Sequence, residues 1–129
     1  ALELAGGVRQ RVGLARALAV SAEVLLMDEP FSAVDEQTRR KFQEDLLELV
    51  ANERKTFIFV THSIAEAVFL SDRIVVMSPR PGRVETIIEV DLPRPRNRVE
   101  LVEDRHYVQF RKEVIDFLYT RHSHVEKAA

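Results

Sequence analysis

The chain has 129 residues, 46% of them hydrophobic, which is enough for one ordinary domain with a core of its own and no more. Its 19 basic and 21 acidic residues leave a formal charge of -2, so there is no overall pull toward nucleic acid, whose backbone demands a basic face. The absence of cysteine excludes a disulfide framework and a thiolate metal site, and the apolar runs VLLM, FIFV and IVVM stop far short of the roughly 20 residues that a membrane-spanning helix needs.

No basic-then-apolar leader opens the sequence, and Ala1 stands where a methionine would begin a chain. The text starts inside a loop-to-helix junction, so we expect a segment of a longer polypeptide. After Gly6 and Gly7, the residues Val8, Val12, Ala15 and Ala19 recur at three- and four-residue spacing, with Leu14 and Leu18 broadening the stripe. This predicts a helix over 7–20. Two glycines ahead of a helix expose backbone N–H groups at its positive end, an anion site in form, although a plain glycine turn has the same sequence.

VLLM follows as a short strand whose unbroken apolar character predicts burial on both faces, as in a parallel sheet. Pro30 ends it. From Asp35 to about residue 50, Phe42, Leu46, Leu49 and Val50 return to helical period, with charged residues on the other faces. Asp35 stands at the N-cap. TFIFVTH, residues 56–62, is rich in β-branched and aromatic types and predicts the next strand. A strand-helix-strand unit is nearly always right-handed, which puts the ends of VLLM and FIFV on the same edge of one parallel sheet.

Ile64 to Leu70 predicts a short helix, Arg73 to Met77 a third strand and Val84 to Val90 a fourth, with SPRPG as the connection between the last two. LPRPRNR, residues 92–98, reads as a linker. We divide the chain accordingly into residues 1–92 and a part 93–129 made of linker, last helix and tail. Arg80, Arg83, Arg94, Arg96 and Arg98 read as solvated loop residues, and His106, His122 and His124 as surface residues without metal spacing. Tyr107, Phe110, Val114, Phe117 and Leu118 mark a packing face on a last amphipathic helix, and residues 121–129 are expected to fray.

Ligands of open parallel sheets gather beyond the carboxyl ends of the strands, where Asp28 and Glu29 stand. An Asp there can hold Mg²⁺, and a neighbouring Glu can orient or deprotonate a water for attack on a phosphoryl group. The dipeptide by itself is equally a strand running into a polar turn. His62 ends the next strand at the same edge, where a neutral ring can donate to a phosphate oxygen; alone, it is equally a turn residue before a helix capped by Ser63. The topology changes this balance by delivering all three side chains to one rim.

LAGGVRQRVGLARAL, then VLLMDEPFSAVD, then VTH resembles the second half of the ATP-binding cassette ATPases: signature loop, Walker B strand with its catalytic glutamate, D-loop and switch histidine. THSIAEAVFLSDRIVVMSPRPGRV extends the likeness to the importer ATPases of the nitrate, sulfonate, taurine and pyrimidine-precursor group. The resemblance covers residues 2–119. It implies an α/β fold, part of a P-loop NTPase with a mostly parallel sheet and flanking helices, from which the N-terminal P-loop half is absent. No GxxxxGK[ST] phosphate-cradling loop occurs here, the only glycines being Gly6, Gly7, Gly13 and Gly82.

By position, the resemblance implies that Asp28 supports Mg²⁺, Glu29 is the general base and His62 contacts the γ-phosphate. Ser32 to Asp35 would touch a second ATPase subunit, and Ala5, Gly6 and Gly7 would face ATP held mainly by that partner. The family usually has serine where Ala5 stands; the missing hydroxyl removes one phosphate hydrogen bond, on the order of 1.5 to 3 kcal/mol if charge-assisted. The implied activity is ATP hydrolysis driving solute uptake through transmembrane permease subunits, served indirectly by a solute-binding protein. The implied place is cytoplasmic, peripheral at the inner face of the membrane, with no nucleic acid bound. Two rival readings are a non-catalytic module that pairs with an intact ATPase, and a DNA-repair or chromosome-maintenance ATPase. Against the latter stand the near-neutral charge and the lack of a heptad coiled coil.

Overall fold

The computed structural model describes residues 9, 12, 13, 15, 16 and 19–128, with side chains as far as residue 120. The chain divides into two compact units, Ala1–His62 and Ser63–Ala129. In the predicted first helix the described residues 9, 12, 13, 15, 16 and 19 are helical, and Val12, Ala15 and Ala19 lie exposed.

The first unit carries β1 (Val24–Asp28), α1 (Glu36–Asn52) and β2 (Thr56–Val60). β1 and β2 pair in parallel, from Val24 opposite Thr56 to Asp28 opposite Val60. Side chains alternate across a strand, and the two faces of this sheet fare differently. Leu25 is buried, with Met27, Phe57 and Phe59 half-buried on the same side; the rings of Phe57 and Phe59 stack at 6.4 Å. Phe31, Phe42 and Leu46 are buried in the same unit, and the Phe31 and Phe42 rings lie 6.3 Å apart. On the opposite side Val24, Leu26, Ile58 and Val60 are all exposed, Leu26 by 76%. The expectation that VLLM is buried on both faces is therefore corrected: a continuous apolar run records that both faces are greasy, whereas burial needs a second layer, which no described residue of this unit supplies.

Capping explains where α1 begins. Asp35 accepts a hydrogen bond from the Thr38 N–H at 2.8 Å, satisfying one of the orphan donors of the first turn.

The second unit contains α2 (Ile64–Leu70), β3 (Arg73–Met77), β4 (Val84–Glu89), α3 (Arg98–Glu103) and α4 (Arg105–Ala128). β3 and β4 form an antiparallel hairpin with a register shift at Val76/Met77, closed by Ser78, whose N–H donates to the Arg83 carbonyl and whose hydroxyl accepts from the Arg83 N–H. The core gathers Val68, Val90, Leu92 and Val114, with Ile64, Ile74, Ile88, Tyr107, Phe110 and Leu118 packed around them. The aromatic and aliphatic stripe of α4 is thus packing, as its spacing predicts. Its helix runs on to Ala128 where fraying was expected; RHSHVEKA contains neither glycine nor proline to stop it.

The arginine-rich stretch departs from its reading as solvated loop. The Arg96 side chain is fully buried, with 0% exposure. Its guanidinium donates to the carbonyls of Phe69 at 3.0 Å, Ser71 at 2.7 Å and Leu92 at 3.2 Å, closing the C-terminal end of α2, where carbonyls lack intrahelical partners. Burial, and secondarily the neighbouring charge of Arg94, lowers the Arg96 pKa, while Asp72 opposes the shift. Arg94 donates to Leu70 O at 2.9 Å and to Asp72 at 3.0 Å, and Arg98 lies 4.5 Å over the Phe69 ring.

Candidate functional site

The parallel register creates the site. With Asp28 opposite Val60, the Glu29 N–H donates to the Val60 carbonyl at 2.8 Å and carries the ladder one residue past β1. His62, two residues beyond Val60, then stands beside Glu29, with Nε2 2.5 Å from Oε1. Asp28, Glu29 and His62 are therefore brought to one rim, as the βαβ topology predicts. The rim is open: the His62 side chain is 90% exposed and that of Glu29 36%. An ion pair or hydrogen bond in such a setting contributes under about 1 kcal/mol to stability. Its consequence is orientation of two reactive groups.

Glu29 adopts φ of 46°, the left-handed region that a side-chain-bearing residue occupies at a cost of about 1–3 kcal/mol. Its surroundings hold it there. The Ser32 N–H and hydroxyl both donate to the Glu29 carbonyl, at 3.2 and 3.1 Å, while Phe31 is buried beside Phe42. From α1, Arg39 reaches back over the same loop, with Nε donating to Phe31 O at 3.3 Å and Nη2 to Val34 O at 3.5 Å. Its Nη1 donates to Glu36 at 3.3 Å.

Asp28 falls on the same side of β1 as Val24 and Leu26 and is exposed. Among the described residues no group of three or more His, Cys, Asp or Glu side chains could hold a metal ion. What the strand end offers a hard cation is the single exposed carboxylate of Asp28. Asp35 sits at the far end of the loop, exposed and engaged as the α1 cap. Its carboxyl is held below the ordinary aspartate value, first by the Thr38 backbone N–H. Ala5, Gly6 and Gly7 lie outside the described residues.

Sequence reading missed Arg39. A signal was present: the positive end of a helix disfavours a cation in its first turn, and the acceptors that offset this for Arg39 are the Glu36 carboxylate and the loop carbonyls of Phe31 and Val34.

The sequence and the fold are similar to those of known proteins. A family model described as "ABC transporter" matches residues 1–32. An uncharacterized ABC transporter ATP-binding protein of Methanocaldococcus jannaschii is 48% identical over 116 residues, which is 90% of this chain and 42% of that protein. The nitrate import ATP-binding protein NrtD of Synechococcus elongatus is 46% identical over 123 residues, 95% of this chain and 45% of its own. The chain thus spans less than half the length of these relatives. Among solved structures, a dimeric post-hydrolysis state of an ATP-binding cassette bound to ADP and Pi is similar with a TM-score of 0.57 and 36% identity, covering 65% of this chain and 35% of that one. In sequence over 90% or more of its length, and in fold over 65% of it, the chain is thus similar to ABC transporter ATP-binding proteins.

Proposed function

We propose that this chain carries the catalytic rim of an importer ATPase and hydrolyses ATP only when a phosphate-binding loop is supplied alongside it. The observation that carries the reading is the 2.5 Å approach of His62 Nε2 to Glu29 Oε1 at the ends of two paired parallel strands, next to Asp28. Glu29 accepts a proton from the attacking water, and His62 donates a hydrogen bond to the γ-phosphate. Asp28 would hold Mg²⁺, which when bound neutralises charge on the phosphate oxygens. At the rim, protein groups mainly orient and stabilise, since phosphoryl transfer asks for positioning more than for covalent chemistry.

In this reading Ala5, Gly6 and Gly7 face ATP held by a second ATPase subunit, and Ser32 to Asp35 touch that subunit. The assembly works at the inner face of a membrane beneath permease subunits, which with a solute-binding protein select the cargo. The likeness to a nitrate import protein and to a dimeric cassette supports this. Among the described residues no helix is long and apolar enough to cross a membrane, so transport would reside in a partner.

The test joins the chain to a phosphate-binding half from a relative. Glu29→Gln should retain ATP binding and lose turnover by about 100-fold or more; unchanged hydrolysis removes Glu29 from the role of base. The 129-residue chain alone should show no ATPase activity.

A further inference from the structure

We propose that Arg39 is a positioning residue for Glu29, its guanidinium fork holding the loop after β1 in the shape that keeps Glu29 in its left-handed conformation and its carboxylate on His62. This rests on the reading of Glu29 as the base. A non-glycine residue at φ of 46° returns to an ordinary conformation unless its neighbours over-determine it. Residues 30–35 are those neighbours, and they are held at four points. Ser32 ties back to the Glu29 carbonyl. Phe31 is 5% exposed, in the core beside Phe42. Asp35 caps α1.

The fourth point is Arg39, which spans the loop. Its Nε and Nη2 engage the carbonyls of Phe31 and Val34, three residues apart, from a single rigid plane. A planar fork fixes the separation between its two acceptors; a lysine ammonium in the same place is a point charge and cannot. Glu36 accepts from the remaining arm at 3.3 Å and aims the fork at the loop. Arg40 provides the contrast one residue on: it reaches Glu36 at 3.1 Å with no bond to a loop carbonyl. Two adjacent arginines therefore divide between loop geometry and surface pairing. Because the bonds of Arg39 to Phe31 and Val34 act on the loop that follows Glu29, its expected effect is on the aim of the base more than on the affinity for nucleotide.

The measurement is steady-state ATP hydrolysis in the joined protein described above, with urea unfolding of each variant alongside. Arg39→Ala should lower kcat about ten-fold with KM for ATP changed less than about two-fold, since a small misplacement of a catalytic group costs on that scale. Arg39→Lys, which keeps charge and aliphatic stem, should show a similar kcat loss with the unfolding midpoint of the parent, and it decides the matter if the alanine variant fails to fold. Arg40→Lys should match the parent. A parental kcat in Arg39→Lys overturns the proposal, as does a kcat loss that only tracks a lower folded fraction. If Glu29→Gln loses turnover while Arg39→Lys keeps it, the positioning role alone fails; if Glu29→Gln keeps turnover, the base assignment has failed first.

Discussion

The two units of this chain solve the problem of ending a secondary-structure element in opposite ways. In the second, the carbonyls at the end of α2 are closed by a buried side chain, Arg96, brought from 25 to 28 residues away. In the first, β1 ends on an exposed carboxylate, a left-handed glutamate and an open histidine. The second unit closes the end of α2 inside protein; the first leaves the end of β1 at an open rim. A strained, solvent-facing strand end is the expected condition of a site that must still bind something.

Breaking the anchors of each unit should separate them most clearly. Phe42→Ala removes a ring that is 4% exposed and supports Phe31, and should destabilise the first unit by about 3–5 kcal/mol, read as a lower urea midpoint. Arg96→Ala leaves several buried carbonyls of the second unit without a donor. The expected cost is on the order of 3 kcal/mol, with loss of amide-exchange protection concentrated in residues 64–71.

A subtler contrast lies within the first unit's own sheet. Leu25→Ala should cost about 2–5 kcal/mol, whereas Leu26→Ala, its exposed neighbour, should change the stability of this chain by less than about 0.5 kcal/mol. Equal losses at the two positions would show that both faces are covered in solution. The smallest effect is a pH dependence. The Asp35 pKa is depressed in the folded chain, so its contribution is present in full above the unfolded aspartate value of about 3.9 and is lost as the pH falls through the lower folded value. Asp35→Asn should flatten the acid limb of the α1 helical signal, measured by circular dichroism below about pH 4.

Much of the local structure was legible from residue types. The bounds of α2 and β3 follow from apolar spacing and flanking polar residues, and the capping roles of Asp35 and Ser63 follow from their place before helical patterns. The convergence of Glu29 and His62 was also legible, because the two strands of a βαβ unit run parallel and so finish at one edge. The bare face of β1 was not: Leu25 and Leu26 are the same residue type, and only the placement of a second layer distinguishes them. Arg96 in its PRPR context reads as solvated, and its burial depends on carbonyls remote in sequence.

Sequence by itself determined the alternation of strands and helices, the caps, and the identity of the groups that reach the rim, since these depend on spacing, backbone preference and handedness over a few tens of residues. Only the tertiary structure decided which apolar face is covered, which arginine is buried and which conformation Glu29 is held in. Those outcomes depend on what arrives from elsewhere in the chain, and a local pattern records the need for a partner without naming it.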